Sequence, residues 1–191
     1  MDRRIEKTKS SIINAFLALR AHKDPEKIRV KELCEKAGIN KSTFYTHYQD
    51  IYDLSEQLEI QAADDVLKEI GRPETMLTDP ERFTKELYYA YLAHANLIGI
   101  LFSGSRSGML IVRIEESLKS ALYGIRPDLK ENAVVDTLLT LEIYGEYYAF
   151  IKCRHFGDDE VIRILCAHWR ETVRILQTPE YDYVGMYSDG T

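Results

Sequence analysis

The stretch Val30-Lys-Glu-Leu-Cys-Glu-Lys-Ala-Gly-Ile-Asn-Lys-Ser-Thr-Phe-Tyr-Thr-His-Tyr48 decides how the rest of the chain is read. Leu33, Cys34 and Ala37 recur at helical spacing, and Phe44 and Tyr48 repeat that spacing after Ile39. Gly38 can take the left-handed backbone that ends a helix cheaply. Asn40 can cap the next helix by accepting from its free N–H groups. The pattern predicts helices over 30–37 and 40–48 joined by a tight turn. This is the build of a helix-turn-helix, whose second helix can enter a DNA major groove. An ordinary helical hairpin gives the same two-helix pattern, so the surroundings have to discriminate.

Charge is one discriminator. The 191 residues carry a formal net charge of −6, which on its own argues against a polyanionic partner. The charge is unevenly placed, however. Residues 1–48 hold 11 Lys and Arg against 6 Asp and Glu, and residues 49–191 hold 14 against 25. A basic head on an acidic body suits phosphate contact at one end only. The second helix is another discriminator. Its exposed positions carry Lys41, Ser42, Thr43, Tyr45, Thr46 and His47: a cation, short donors and an aromatic ring suited to phosphate oxygens and base edges. A helix selected only for stability would hold more Glu, Lys and Ala.

On these residues the chain resembles the DNA-binding domain of the TetR/AcrR family of bacterial transcriptional regulators. The resemblance covers about residues 5–55, and its specific core is Ala37-Gly38, Thr43-Phe44-Tyr45 and Tyr48. It implies that Thr43 and Tyr45 touch bases and phosphates, that Lys41, Ser42 and His47 flank them, and that Phe44 and Tyr48 pack inward. Two positions depart from the pattern. Cys34 replaces a usual alanine, and Ile51 stands where many members place a lysine, which would leave a backbone N–H at the helix start to meet phosphate.

Outward from this stretch, everything reads as helix. A first helix over about 4–21 has an apolar face of Ile5, Ile12, Ile13, Phe16 and Leu19 behind a basic start of Arg3, Arg4, Lys7 and Lys9. Pro25 punctuates a loop. Asp50 and Asp53 form a capping-box pattern for a helix reaching Ile70, and residues 71–79 read as a linker. Asp79-Pro80 opens a helix to about 96, followed by a short apolar piece to Phe102 and a flexible Ser103–Gly108. Helices over 109–123, 129–155 and 158–176 complete the chain, with Gly124 and Pro127 closing the first of them. The expectation is an all-α fold of about nine helices: a helix-turn-helix head over 1–50, a helical body over 51–178 and a loose tail over 179–191.

The two C-terminal helices are apolar over most of their circumference, so each buries two faces. One face can meet a partner, although a large monomeric core would look the same. The family resemblance implies a homodimer through about 129–155 and 158–176, with two heads about 34 Å apart over successive major grooves. It also implies a small-molecule effector site in the body. Tyr88, Tyr91, Phe102, Tyr144, Tyr147 and Tyr148 concentrate rings there, with His94, Arg113, Glu142 and Glu146 as polar groups. A tyrosine-rich core would be composed in the same way.

No catalytic residues, cofactor or metal site are expected. The chain has no His-Glu-x-x-His, no glycine-rich phosphate loop and no nucleophile elbow. The three cysteines, Cys34, Cys153 and Cys166, form no CxxC pair and fall at apolar positions, where reduced core thiols are expected. No apolar run approaches the ~20 residues of a membrane span, and the charged start lacks a secretory core, so a cytoplasmic protein is expected. The sum is a homodimeric DNA-binding regulator, a repressor released from a palindromic operator by an effector. The alternative is an interaction protein of the same fold that does not read DNA alone.

Overall fold

A computed structural model describes residues 3–70, 72 and 75–177, and every element among them is helical. In chain order the α-helices are α1 (Arg3–Arg20), α2 (Val30–Ala37), α3 (Lys41–Tyr45), α4 (Ile51–Glu69) and α5 (Thr75–Thr78). Then follow α6 (Pro80–Ala93), α7 (Ala95–Leu101), α8 (Met109–Ile125), α9 (Ala133–Cys153) and α10 (Asp158–Gln177). Single 3-10 turns fill Pro25–Lys27, Gly104–Arg106, Pro127–Leu129 and Arg154–Phe156. The expected tail over 179–191 lies outside the described residues. Among the described residues no single helix is long and apolar enough to cross a membrane.

The chain forms two compact units. The first comprises the residues up to Asp65 together with Ala93–Leu110, and the second comprises Val66–Leu92 and the chain from Ile111 onward. In the first unit Ile12, Phe16, Leu33, Phe44, Leu54 and Leu101 are fully buried, each such side chain stabilising by about 1.5–3 kcal/mol. Arg20 is buried with them. Its guanidinium donates to the carbonyls of Lys23 at 3.1 Å, Leu101 at 3.1 Å and Ser103 at 2.7 Å. These are carbonyls at the ends of α1 and α7, which a helix cannot satisfy by itself.

The Ser103–Gly108 segment, expected to be flexible, is therefore tied down at its start. It is tied again at Arg106, whose Nε donates to the buried Glu59 carboxylate at 2.9 Å. Ser105 Oγ donates to Glu26 at 3.0 Å.

The second unit is built around Tyr88, Phe150, Val161, Ile162, Leu165 and Cys166. Trp169 Nε1 donates to the Met76 carbonyl at 3.2 Å, anchoring α5 to α10. That anchor explains why a segment read as linker contains a helical turn with Met76 buried. Gly124 does not close α8 but sits within its last turn. The Arg126 N–H still reaches the Leu122 carbonyl at 2.8 Å, so the ladder continues to the residue before Pro127. All three cysteines are free, with Cys34 and Cys166 buried.

Candidate nucleic-acid interface and ligand cleft

The head's turn is set by two residues. Gly38 has φ +68° and ψ +34°, and its N–H donates to the carbonyls of Cys34 and Glu35. A Cβ added there would meet nothing within 4 Å, so the need for glycine is one of backbone conformation alone. Asn40 then caps α3. Its Oδ1 accepts from the Thr43 N–H at 2.7 Å, from Ser42 Oγ at 2.7 Å and from Thr43 Oγ1 at 2.8 Å.

Helix α3 is shorter than the expected 40–48. The Thr46 N–H is shared between the carbonyls of Ser42 and Thr43, and the His47 N–H donates to Phe44 at 2.9 Å. Thr46 Oγ1 also donates to the Thr43 carbonyl at 2.7 Å. These three-residue bonds tighten the helix into a turn before Tyr48.

Of the six candidate contact residues, Lys41, Ser42, Tyr45 and Thr46 are exposed, and Thr43 and His47 are half-buried. Phe44 and Tyr48 point into the core, with ring centroids 5.8 Å apart. The Ser42 and Thr43 hydroxyl protons serve Asn40, so these two side chains present acceptor lone pairs outward. Lys41, Tyr45 and His47 extend beyond them.

Tyr52, which sequence reasoning passed over, is 54% exposed at the start of α4, beside the buried Ile51. The signal for it was available: an aromatic residue in a first helical turn whose neighbours Ile51 and Leu54 already supply the core face. The α4 start is less welcoming to phosphate than expected. Asp50 Oδ1 takes the Asp53 N–H at 2.8 Å and Asp53 Oδ2 takes the Gln49 N–H at 2.7 Å. Two carboxylates thus occupy amides that an anion would use.

The second unit contains an apolar cleft, part of it open to solvent. α6 contributes Phe83, Leu87, Tyr88 and Tyr91, and α8 contributes Ile111, Ile114 and Leu118. α9 lays one stripe along it, from Leu139 through Glu142, Glu146 and Tyr147 to Phe150, and Trp169 closes it from α10. Tyr88 packs against Phe150 at a 37° tilt with centroids 4.5 Å apart, and Tyr91 meets the same ring edge-on at 5.6 Å.

Of the eight residues singled out as ligand candidates, Tyr88, Tyr91 and Tyr147 line the cleft. The other five do not. His94 and Phe102 belong to the first unit. Arg113 pairs with Glu116 at 3.3 Å, Tyr144 hydrogen-bonds Glu115, and Tyr148 is 45% exposed. Phe150 and Trp169 were missed because they read as ordinary core in helices apolar on most sides.

The charged groups lining the cleft are two carboxylates, Glu142 and Glu146, and one ammonium, Lys119. Glu142 is buried and fully engaged: Oε1 accepts from Thr172 Oγ1 at 2.8 Å, and Oε2 lies 2.8 Å from His168 Nε2. Glu146, one turn further, has a buried oxygen without a hydrogen-bond partner. Burial, and then the neighbouring Glu142 charge, push its carboxyl up to about 8. Burial likewise pushes the Tyr147 hydroxyl up to about 12. Lys119 is held by Glu115 at 2.9 Å and Asp136 at 2.8 Å.

Among the described residues, α9 and α10 leave large apolar side chains exposed. On α9, Leu141 is 64% exposed, and Tyr148 and Ile151 follow it on the same side; on α10, Ile164 is 53% exposed.

No protein-family model and no curated protein matches the sequence. A solved structure does match. It is a 2.10 Å crystal structure from Shewanella sp. PV-4, assigned to the TetR family of transcription regulators. The two chains are 17% identical, with 88% of this chain and 95% of that one covered at a TM-score of 0.50. At that identity the likeness speaks for architecture. The chain has the all-α fold of a TetR-type regulator.

Proposed function

We propose that this chain is a homodimeric, DNA-binding transcription regulator of the TetR type, working in the cytoplasm without enzymatic activity. In this reading it is a repressor that a small-molecule effector releases from a palindromic operator. The observation that carries the proposal is the exposed set on and after α3. Lys41, Tyr45 and Thr46 project from a short helix that Gly38 and Asn40 place firmly and that Phe44 anchors in the core. Tyr45 leaves 56% of its surface in water although its ring meets Phe44 edge-on at 5.4 Å, and phosphates and base edges would use that exposed ring and the Lys41 ammonium.

The exposed face of α9 and α10 supports the dimer, because a buried counterpart on a second copy would remove it from water. The cleft supports the effector. Tyr91 lines it, and two residues later the chain enters the Ala93–Leu110 segment that packs in the first unit. That segment returns at Ile111, again a lining residue. A ligand that moves α6 or α8 therefore pulls covalently on a segment of the head's own unit, and so on the spacing of two heads in a dimer.

A second reading is favoured by one observation. The carboxylates of Asp50 and Asp53 at the start of α4 repel phosphate, as expected of a protein of this fold that joins a partner regulator and does not read DNA alone.

Selection from random duplexes with the purified protein separates the two, since a reader enriches a palindrome and an adaptor enriches none. On the enriched site, Tyr45→Ala or Thr43→Ala should weaken binding while leaving the fold intact. Lys41→Ala should reduce the salt slope by about one. Wild-type binding by all three variants would overturn the assignment of α3.

A further inference from the structure

The cleft carries an unbalanced charge. Lys119 is the one cationic side chain among its described lining residues, and Glu115 and Asp136 already hold it. Against it stand Glu142 and Glu146 on a single stripe of α9. Glu142 has partners for both oxygens, but Glu146 keeps a buried oxygen that no group of the cleft donates to. The same cleft is lined by Tyr88, Tyr91, Tyr147, Phe150 and Trp169, of which Phe150 already carries the Arg154 guanidinium 5.6 Å from its ring centroid. An anion would meet two carboxylates and no available positive charge. A cation would meet an unpartnered carboxyl group and aromatic rings, out of water, where cation–π attraction is strongest.

We propose that the cleft binds an organic monocation with an apolar, ring-bearing body, its charge set against Glu146 and its rings against the aromatic walls. This names the ligand class of the effector site proposed above, and it rests on that reading for its regulatory consequence.

The alternative occupant is a neutral hydrogen-bond acceptor that takes a proton from the acid form of Glu146, and proton linkage tells the two apart. The groups around Glu146 are Glu142 on its own helix with His168 beyond it, Tyr88 from α6, Cys166 from α10 and Lys119 from α8. Burial holds Tyr88 and Cys166 above their ordinary values. Burial alone would lower Lys119, but its bonds to Asp136 and Glu115 raise it. Among these, Glu146 is a group that carries a proton at neutrality and must lose it when a cation arrives.

The test is calorimetric titration of the full chain with tetraphenylphosphonium and with benzyltrimethylammonium. Tetraphenylborate serves as the anion matched to the larger cation in size, and buffers of different ionisation heat report proton exchange. At least one cation should bind, with the borate about tenfold weaker or worse. Close to one proton should be released per cation at pH 7 and about half a proton at pH 8. Glu146→Gln should weaken the cation about tenfold or more and abolish the release, while melting no lower than the parent.

The proposal is overturned if neither cation binds, if the borate binds equally well, or if the glutamine variant matches the parent. Binding without proton release that the glutamine variant leaves unchanged overturns it in favour of the neutral occupant. A gel shift separates this result from the regulator reading: DNA binding without cation binding sinks only the ligand class, and the reverse result sinks only the DNA-reading role.

Discussion

Glu59, in the middle of α4 and fully buried, accepts from Arg106 Nε at 2.9 Å across 47 residues of chain. Its Oε1 also accepts from Ser55 Oγ at 2.8 Å, one turn earlier. The pair closes the Ala93–Leu110 segment onto α4 within the first unit. Removing one partner leaves a desolvated charge. Arg106→Ala should therefore lower the unfolding free energy by about 3–5 kcal/mol. A double variant, Glu59→Leu with Arg106→Met, should recover most of that loss, because burial without charge needs no partner. Urea unfolding of the three proteins checks it. A single variant as stable as the parent would show that the pair contributes nothing.

The Asn40 cap predicts a smaller effect in a different place. Its single oxygen organises one backbone N–H and two hydroxyls of α3. Asn40→Ala should cost about 1 kcal/mol, or about 2–4 °C in melting temperature for a chain of this size. Asn40→Asp should retain the cap. If the proposed function holds, Asn40→Asp should nevertheless weaken DNA binding, because it adds a negative charge beside Lys41. Thermal melts and gel shifts of the two variants together resolve capping from contact.

Local chemistry explains why the head was legible in the sequence. Gly38, Asn40 and the Asp50–Asp53 pair each act within four residues, so their roles can be read from spacing, and the structure shows the turn and both caps. Helix α3 was overextended because the four-residue spacing of Phe44 and Tyr48 carries the helical pattern past Thr46 and His47, whose N–H groups form the tighter three-residue bonds of a turn.

The cleft was only half legible, for a different reason. Residues 139, 142, 146, 147 and 150 make one stripe of α9, but that helix is apolar nearly all round. Periodicity therefore cannot tell Tyr147 on the cleft from Tyr144 and Tyr148 off it. What distinguishes the stripe is a pair of glutamates among apolar neighbours, which alone reads as a solvated edge. The Arg106–Glu59 pair was invisible because nothing local to the Ser103–Gly108 segment points to α4.

Glu146 also predicts how stability varies with pH. Its folded-state value of about 8 lies above the ordinary 4.5, so between these values the folded chain keeps a proton that the unfolded chain has lost. Its contribution is fully present below the ordinary value and is lost as pH rises through about 8. The slope is at most about 1.4 kcal/mol per pH unit. Glu146→Gln lacks this term. The variant should gain on the parent as pH rises from 5 to 8, measured by urea unfolding at several pH values. Parallel curves for the two proteins would show that Glu146 titrates normally.

The exposed face of α9 and α10 yields the test of assembly. Leu141 and Ile164 are more than half exposed in a single copy, so a charge at either should cost that copy's fold little, within about 0.5 kcal/mol. In a dimer built on this face the same charges would be buried opposite their own symmetry copies, where like charges repel without solvent screening. Leu141→Glu with Ile164→Glu should therefore sediment as a 22.1 kDa monomer that still unfolds cooperatively. Binding to a two-half-site operator should fall by orders of magnitude, because the second head no longer arrives with the first and its effective concentration is lost. Binding to an isolated half-site, weak in both proteins, should not change. A double-glutamate protein that still sediments at twice the monomer mass would place the partner-facing surface elsewhere on the chain.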